Sequence, residues 1–325
     1  MYHPPIAGRA AHLSALILAA LLCLLLAAPS FAQGKPGCPP AASMPTAETF
    51  AAAAAQAKDR GLLWRVSKDG HSSYLYGTMH VGKAEWMAPG PLMRGALARS
   101  DTIGLELDPL DEAVQREMAA RMAARAPVKL PAALQERLRK AWDAACLPPE
   151  ALTKMPVEMQ AVTITVMADR RSGLESAYGS EILLSMMGHG SGRAVVSLES
   201  VEQQLGALLA KNDEEAIEMV RGVLDEMDSG RTSGVLARSI KAWDTGDLID
   251  FSRYFEWCEC GKTASERDMM ARLLDGRNPG LAARIDAAHA EGKRLFAAVG
   301  ALHMIGPNGL PRLMAEKGYE VQRLR

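Results

Sequence analysis

The sequence predicts an α/β protein: a central mixed β-sheet built from N- and C-terminal strands, with a large helical insertion between them. Three observations predict it. Short apolar runs bounded by turn residues lie at 62–67, 73–76, 102–107, 193–198, 294–299 and 319–324. The stretch of about 110–260 instead carries apolar residues mostly at helical spacing. Two of the apolar runs, 73–76 and 294–299, lead into the same short motif, Gly-x-x-His.

The chain has 325 residues, enough for one large domain or two small ones. Residues 1–32 read as a secretory leader. Arg9 is their one charged side chain, and the apolar run 13–28 is shorter than the roughly 20 residues of a bilayer-spanning helix. Pro29-Ser30-Phe31-Ala32 follows, with small residues at the positions a cut after Ala32 requires. The mature protein is therefore expected to be periplasmic or secreted, with no stable membrane span. Residues 33–46 are rich in Pro, Gly and Ala and read as a linker, leaving 47–325 as one domain.

Along that domain, 47–58 is Ala-rich and helical. Asp69-Gly70 between the strands 62–67 and 73–76 is a hairpin turn, since both residue types tolerate positive φ. Helices follow at 110–124, 132–145 and 157–170, with Pro131, Pro148 and Pro156 near their starts. A helix at 181–187 ends at Gly188 and precedes the strand 193–198. Further helices are read at 202–210, 214–227, 235–243, 265–274, 280–291 and 310–317, the last stopped by Gly318.

Composition sets limits on function. Hydrophobic residues at 48% and charged residues at 23% suit a folded chain and exclude a mainly disordered one. A net charge of −1 argues against a dedicated nucleic-acid binder, which would carry a basic excess. Cys38, Cys146, Cys258 and Cys260 follow the leader, in a compartment where disulfides persist. A bond within Cys258-Glu259-Cys260 would close a small ring, so bonds from Cys38 or Cys146 to that pair are expected. The oligomeric state is not fixed by the sequence.

The informative feature is the repeat. Tyr74-Leu75-Tyr76-Gly77-Thr78-Met79-His80-Val81-Gly82 matches Ala297-Ala298-Val299-Gly300-Ala301-Leu302-His303-Met304-Ile305-Gly306 in plan. Gly77 and Gly300 let the chain turn sharply or approach another backbone. His80 and His303 then emerge past the carboxyl ends of strands, where α/β sheets bind ligands. Read singly, each histidine fits a structural residue. Read as a pair in one repeated context, they fit a shared metal ion or an acid–base pair. Glu106 interrupts the apolar run 102–107, and a buried carboxylate needs a charged partner or a cation. It is read as a metal ligand or general base, against a solvent-facing edge position. Asp108 is read as a helix cap, and Glu199 as either a cap or a support of the site. His71, His189 and His289 are read as surface or packing residues. There is no His-Glu-x-x-His, Gly-x-Ser-x-Gly, Walker or dinucleotide motif, so those chemistries lose weight.

An ordered set of motifs runs from about 62 to 324. It comprises Leu63-Trp64-Arg65-Val66, then 74–82, Gly104-Leu105-Glu106-Leu107, Tyr178-Gly179-Ser180-Glu181 and Leu198-Glu199-Ser200 with Gln203-Gln204-Leu205. Gly246-Asp247-Leu248, Glu266-Arg267-Asp268, 299–309 and Lys317-Gly318-Tyr319 complete it. This set resembles the TraB/GumN family, within the wider Tiki, erythromycin-esterase and ChaN-like superfamily. The resemblance implies a metal-dependent, hydrolase-like site of His80, His303 and Glu106, with Arg267 and Glu199 beside it. Glu181 stands where the family pattern has Asp, and Asp268 where it has Asn. Tiki-type relatives are cation-dependent proteases, erythromycin-esterase-like ones hydrolases, and ChaN-like ones bind haem or iron.

The expectation is a metal-dependent hydrolase of the cell envelope, a peptidase acting on a peptide or small molecule. His80, His303 and Glu106 would hold Mn, Co or Zn, and Arg267 would pair with Glu106 or a developing oxyanion. The rival expectation is a non-catalytic protein that binds a peptide, haem or iron, or that assists exopolysaccharide export.

Overall fold

The computed structural model describes residues 37–40, 42–44, 46–258, 260 and 264–325. The leader at 1–32 lies outside the described residues, as does part of the linker at 33–46. The described residues before Ala47 carry no helix or strand, and Ser43–Arg325 pack as one unit. Helix α1 (Ala47–Ala55) is the Ala-rich segment. It precedes the hairpin of β1 (Leu62–Lys68) and β2 (His71–Thr78). Asp69 and Gly70 make its two-residue turn with φ of 51° and 83°, the left-handed pair that matches strand twist. Strand β3 (Thr102–Leu105), β4 (Ala194–Ser197), β5 (Leu295–Gly300) and β6 (Glu320–Arg323) complete one sheet of order β4-β3-β5-β2-β1-β6. β4, β3, β5 and β2 run parallel, β1 is antiparallel to β2, and β6 is antiparallel to β1. This is the mixed α/β sheet that the sequence predicts. β5 reads as a continuous apolar run because it lies mid-sheet, and its residues Leu295 to Val299 are fully buried.

Fourteen further α-helices are described. They are α2 (Pro91–Ala98), α3 (Glu112–Ala124), α4 (Ala132–Ala144), α5 (Pro149–Leu152), α6 (Val157–Val166), α7 (Ser180–Gly190) and α8 (Val201–Leu208). The series continues with α9 (Asp213–Asp228), α10 (Arg231–Thr245), α11 (Leu248–Ser252), α12 (Tyr254–Trp257), α13 (Ala264–Met270), α14 (Asn278–Ala290) and α15 (Leu310–Glu316). One core surrounds the sheet and includes Leu75, Leu105, Phe296, Trp243 and Ile285. A second, helical core joins α4, α6 and α9 through Leu138, Trp142, Ile164, Val220 and Leu224. No helix among the described residues is long and apolar enough to cross a membrane.

Some elements differ from the sequence reading. The periodicity did not pick out α2, which is only eight residues long and buries three of them, Met93, Ala96 and Leu97. α7 continues past Gly188, because that glycine is a packing position and not a stop. A Cβ there would come within 2.4 Å of Val195, so glycine lets the helix lie on β4. The segment read as a helix over 265–274 becomes π-helical at Ala271–Asp275, where the Gly276 N–H donates to the Ala271 carbonyl. The expected bonds from Cys38 or Cys146 to the Cys258/Cys260 pair are not formed. Cys258 and Cys260 bond to each other across a Cα separation of 5.2 Å, inside the ordinary disulfide range.

The chain after His80 is clamped to the segment before α7 by reciprocal backbone hydrogen bonds between Gly82 and Glu175. A Cβ on Gly82 would stand 2.2 Å from the Tyr178 carbonyl oxygen, which is backbone and cannot yield cheaply. Gly82→Ala is therefore expected to cost about 2 kcal/mol or more in urea unfolding. Gly222→Ala, inside α9 with nothing within 4 Å, should instead stabilise by about 0.5–1 kcal/mol.

Candidate active site at the carboxyl ends of four parallel strands

Each parallel strand delivers one polar side chain at its carboxyl end. β2 runs into His80, β5 into the 3₁₀ turn Ala301–Met304 that carries His303, β3 into Glu106, and β4 through Leu198 into Glu199. The repeats are neighbours because β2 and β5 pair directly, with Gly77 opposite Val299 and Thr78 opposite Gly300. Both glycines are needed for room. A Cβ on Gly77 would lie 3.0 Å from the Ala301 Cα. A Cβ on Gly300 would lie 3.2 Å from Glu106 Oε1, 3.5 Å from the His303 ring and 3.9 Å from His80 Nε2. Three functional groups thus converge within 4 Å of the point where a Cβ on Gly300 would stand.

Glu106 is buried, and its side-chain hydrogen-bond partners come from distant parts of the chain. Oε1 accepts the Gly300 N–H at 2.7 Å, while Oε2 accepts Arg277 at 2.5 Å and Gln204 at 3.3 Å. Burial alone would raise its pKa. The Arg277 charge chiefly, helped by His303, His80 and the Gly300 amide, pulls it down to about 2 instead. Arg277 also grips Glu199, through Nε at 2.9 Å and through Nη2. One guanidinium therefore bridges two buried carboxylates. Burial opposes its charge, but Glu199 and Glu106 hold it protonated.

The two histidines are oriented by different partners. His80 Nδ1 lies 2.9 Å from Glu181 Oε1, which also accepts the Thr78 hydroxyl at 2.5 Å. A carboxylate only accepts, so Nδ1 carries hydrogen and Nε2 faces the site. Glu181 raises the His80 pKa to about 9, against a smaller opposing effect of burial. The His80 side chain is 61% exposed, so water screens part of this pull. Burial would raise the pKa of Glu181, but His80 and Thr78 hold it lowered. His303 is 3% exposed, and its Nδ1 lies 2.5 Å from Asn278 Oδ1. Asn278 Nδ2 donates to the Asn308 carbonyl, so Oδ1 is the acceptor and His303 Nδ1 the donor. That leaves the Nε2 lone pair directed at the site, 3.7 Å from Glu106 Oε1. Burial lowers the His303 pKa to about 4, with Glu106 opposing.

The arginine against Glu106 is Arg277 and not Arg267, which is exposed on α13. The same ten-residue offset resolves the Asp268 departure. Asn278 follows Arg277 and supplies the amide that holds His303. The signal was the adjacent Arg277-Asn278 just before Pro279, which marks a helix start. Asp108 is no helix cap: Asp111 caps α3. Asp108 is buried and accepts the Ser185 hydroxyl at 2.5 Å and the Leu110 N–H, with His189 at 2.7 Å. Nor does Glu199 cap α8, since Ser200 and Gln203 form that capping box. His71 and His289 stack with ring centroids 3.7 Å apart, and His289 bonds to Ser73 and the Lys68 carbonyl.

The donor set fits a borderline cation by chemistry: two imidazole lone pairs freed by bonds at Nδ1, and a carboxylate oxygen. As the side chains stand, no group of three or more His, Cys, Asp or Glu among the described residues is placed to hold a metal ion.

The model of the TraB/PrgY/gumN family matches residues 62–323, and the chain belongs to that family. No curated protein and no solved structure matches the chain.

The opposed histidine shifts give stability a two-sided pH dependence in metal-free protein. His303 has a lowered folded pKa, so its contribution is complete above about pH 6.5 and is lost as pH falls towards about 4. His80 has a raised folded pKa, so its contribution is complete below about 6.5 and is lost as pH rises towards about 9. Melting temperatures across this range should show the alkaline loss shrinking in His80→Gln and the acid loss shrinking in His303→Gln. Unchanged slopes in both variants would contradict these environments.

Proposed function

We propose that the chain is a cation-assisted hydrolase of the cell envelope, acting as a peptidase. The observation that carries the reading is the convergence of His80 Nε2, the His303 ring and Glu106 Oε1 in front of Gly300. His80 Nε2, His303 Nε2 and Glu106 would hold the cation, manganese, cobalt or zinc. When bound, such an ion lowers the pKa of a water ligand towards neutrality and polarises a carbonyl. Glu181 and Asn278 fix the two imidazoles by taking their Nδ1 hydrogens. Arg277 keeps Glu106 ionised and in place, and its guanidinium donates to Glu106, Glu199 and the Leu273 carbonyl. His80, three-fifths exposed, is the member of this trio open to solvent. The resemblance to cation-dependent proteases supports the peptidase form, and the leader-like residues 1–32 support the envelope location.

One observation favours a second reading, a ligand-binding protein without catalysis. Arg277 already pairs with both Glu106 and Glu199, so each buried carboxylate has a hydrogen-bonded cationic partner of the chain's own.

Metal content by mass spectrometry after reloading with manganese, cobalt or zinc separates the two. The hydrolase reading expects close to one ion per chain, lost in both His80→Ala and His303→Ala, and peptide cleavage that falls by about 10³-fold or more with it. Protein that retains no ion under any loading, yet binds peptide unchanged in both variants, would favour the second reading.

A further inference from the structure

Beside the Glu199–Arg277 pair lies an open cavity of about 300 Å³. Its walls come from α8, from the π-helical turn Ala271–Asp275 and from α14. The extra residue of a π turn re-aims the side chains around it, and such turns are frequent at functional sites. Here Arg272 lies within the turn, and Arg277 just beyond it. Missing side chains make the room, since Gly206 and Gly280 line the cavity with nothing within 4 Å of an added Cβ.

Three guanidinium groups line this space: Arg272, Arg277 and Arg284. The nearby carboxylate oxygens are already used. Glu199 gives both of its oxygens to Arg277, and Glu215 gives one to Arg272 and the other to the Lys211 N–H. Donors are left over. Arg272 Nε and Nη1 are buried with no hydrogen-bond partner. Arg284 is exposed on α14 and has no hydrogen bond or ion pair among the described residues. A wall whose accessible unpartnered cation is Arg284, and whose carboxylates are already engaged, favours an anion, and the planar guanidinium fork matches an oxyanion.

We propose that this cavity is a recognition subsite for a carboxylate or phosphate group carried by the small molecule that the neighbouring site acts on, with Arg284 as its accessible anchor. The substrate part rests on the hydrolase reading; the anion binding does not. Arg277 lines the cavity and also holds Glu106, so one residue joins the subsite to the convergent histidines.

Calorimetric titration of the full chain at low salt tests it, with N-acetyl-alanyl-alanine, its carboxyl-terminal amide and inorganic phosphate as probes. The free acid or phosphate should bind, the amide should not, and affinity should fall with added salt. Arg284→Gln should weaken binding by about tenfold or more, with Arg284→Lys in between and surface Arg312→Gln unchanged. Binding of the acid alone assigns a carboxylate, and of phosphate alone a phosphate. Equal binding of acid and amide, no binding of either anion, or an unchanged Arg284→Gln affinity would overturn the subsite. Anion binding that persists in His80→Ala keeps the subsite even where no hydrolysis is found. Hydrolysis with a flat anion titration removes the subsite and leaves the hydrolase reading standing.

Discussion

Arg277 sits between Glu106 and Glu199, two buried carboxylates at the ends of the adjacent strands β3 and β4. Neither carboxylate could be ionised there alone, because desolvation of an unpaired charge costs far more than one hydrogen bond returns. The planar guanidinium answers both through Nε and Nη2, and breaking such a buried pair from one side costs about 3–5 kcal/mol. Its position has a longer reach. Arg277 comes from the junction between the π turn and α14, far along the chain from both glutamates. The network therefore fastens that junction to the carboxyl edge of the sheet. Glu106 passes the constraint on, since its other oxygen takes the Gly300 amide at the end of β5. The end of β5, and with it the 3₁₀ turn that carries His303, is fixed by the same cluster.

The sheet was legible because its residues obey local rules. Asp69-Gly70 needs only two residues tolerant of positive φ to set the hairpin, and β3 and β5 are apolar because strands covered on both faces bury every position. The Gly-x-x-His repeat was legible as a pattern, but not its closure in space. Nothing local in 71–82 or 295–306 states that β2 and β5 pair in parallel.

What was misread depended on tertiary partners. Arg267-Asp268 and Arg277-Asn278 look alike as dipeptides, and only the fold shows which guanidinium reaches Glu106. Gly188 has the composition of a helix stop, yet it serves close packing of α7 on Val195. Glu199 was ambiguous for a similar reason. Ser200 with Gln203 is a complete capping box by itself, so the glutamate beside it is free for Arg277. The disulfide between Cys258 and Cys260 turns on a local backbone course that spacing alone does not give.

The two histidines share a motif and differ in surroundings. His303 is sealed among packed residues and held by a neutral amide, so burial keeps it uncharged. His80 is largely open to solvent and held by a carboxylate, so it favours the proton. Neighbouring groups pushed in opposite directions are the arrangement from which acid and base roles arise. In the hydrolase reading this has a consequence for cation uptake. His303 presents its lone pair at neutral pH without cost, whereas His80 must give up a proton to present its own. Binding of a cation is then coupled to proton release at His80 and weakens as pH falls. The exposed repeat would set the pH response, and the buried one the geometry.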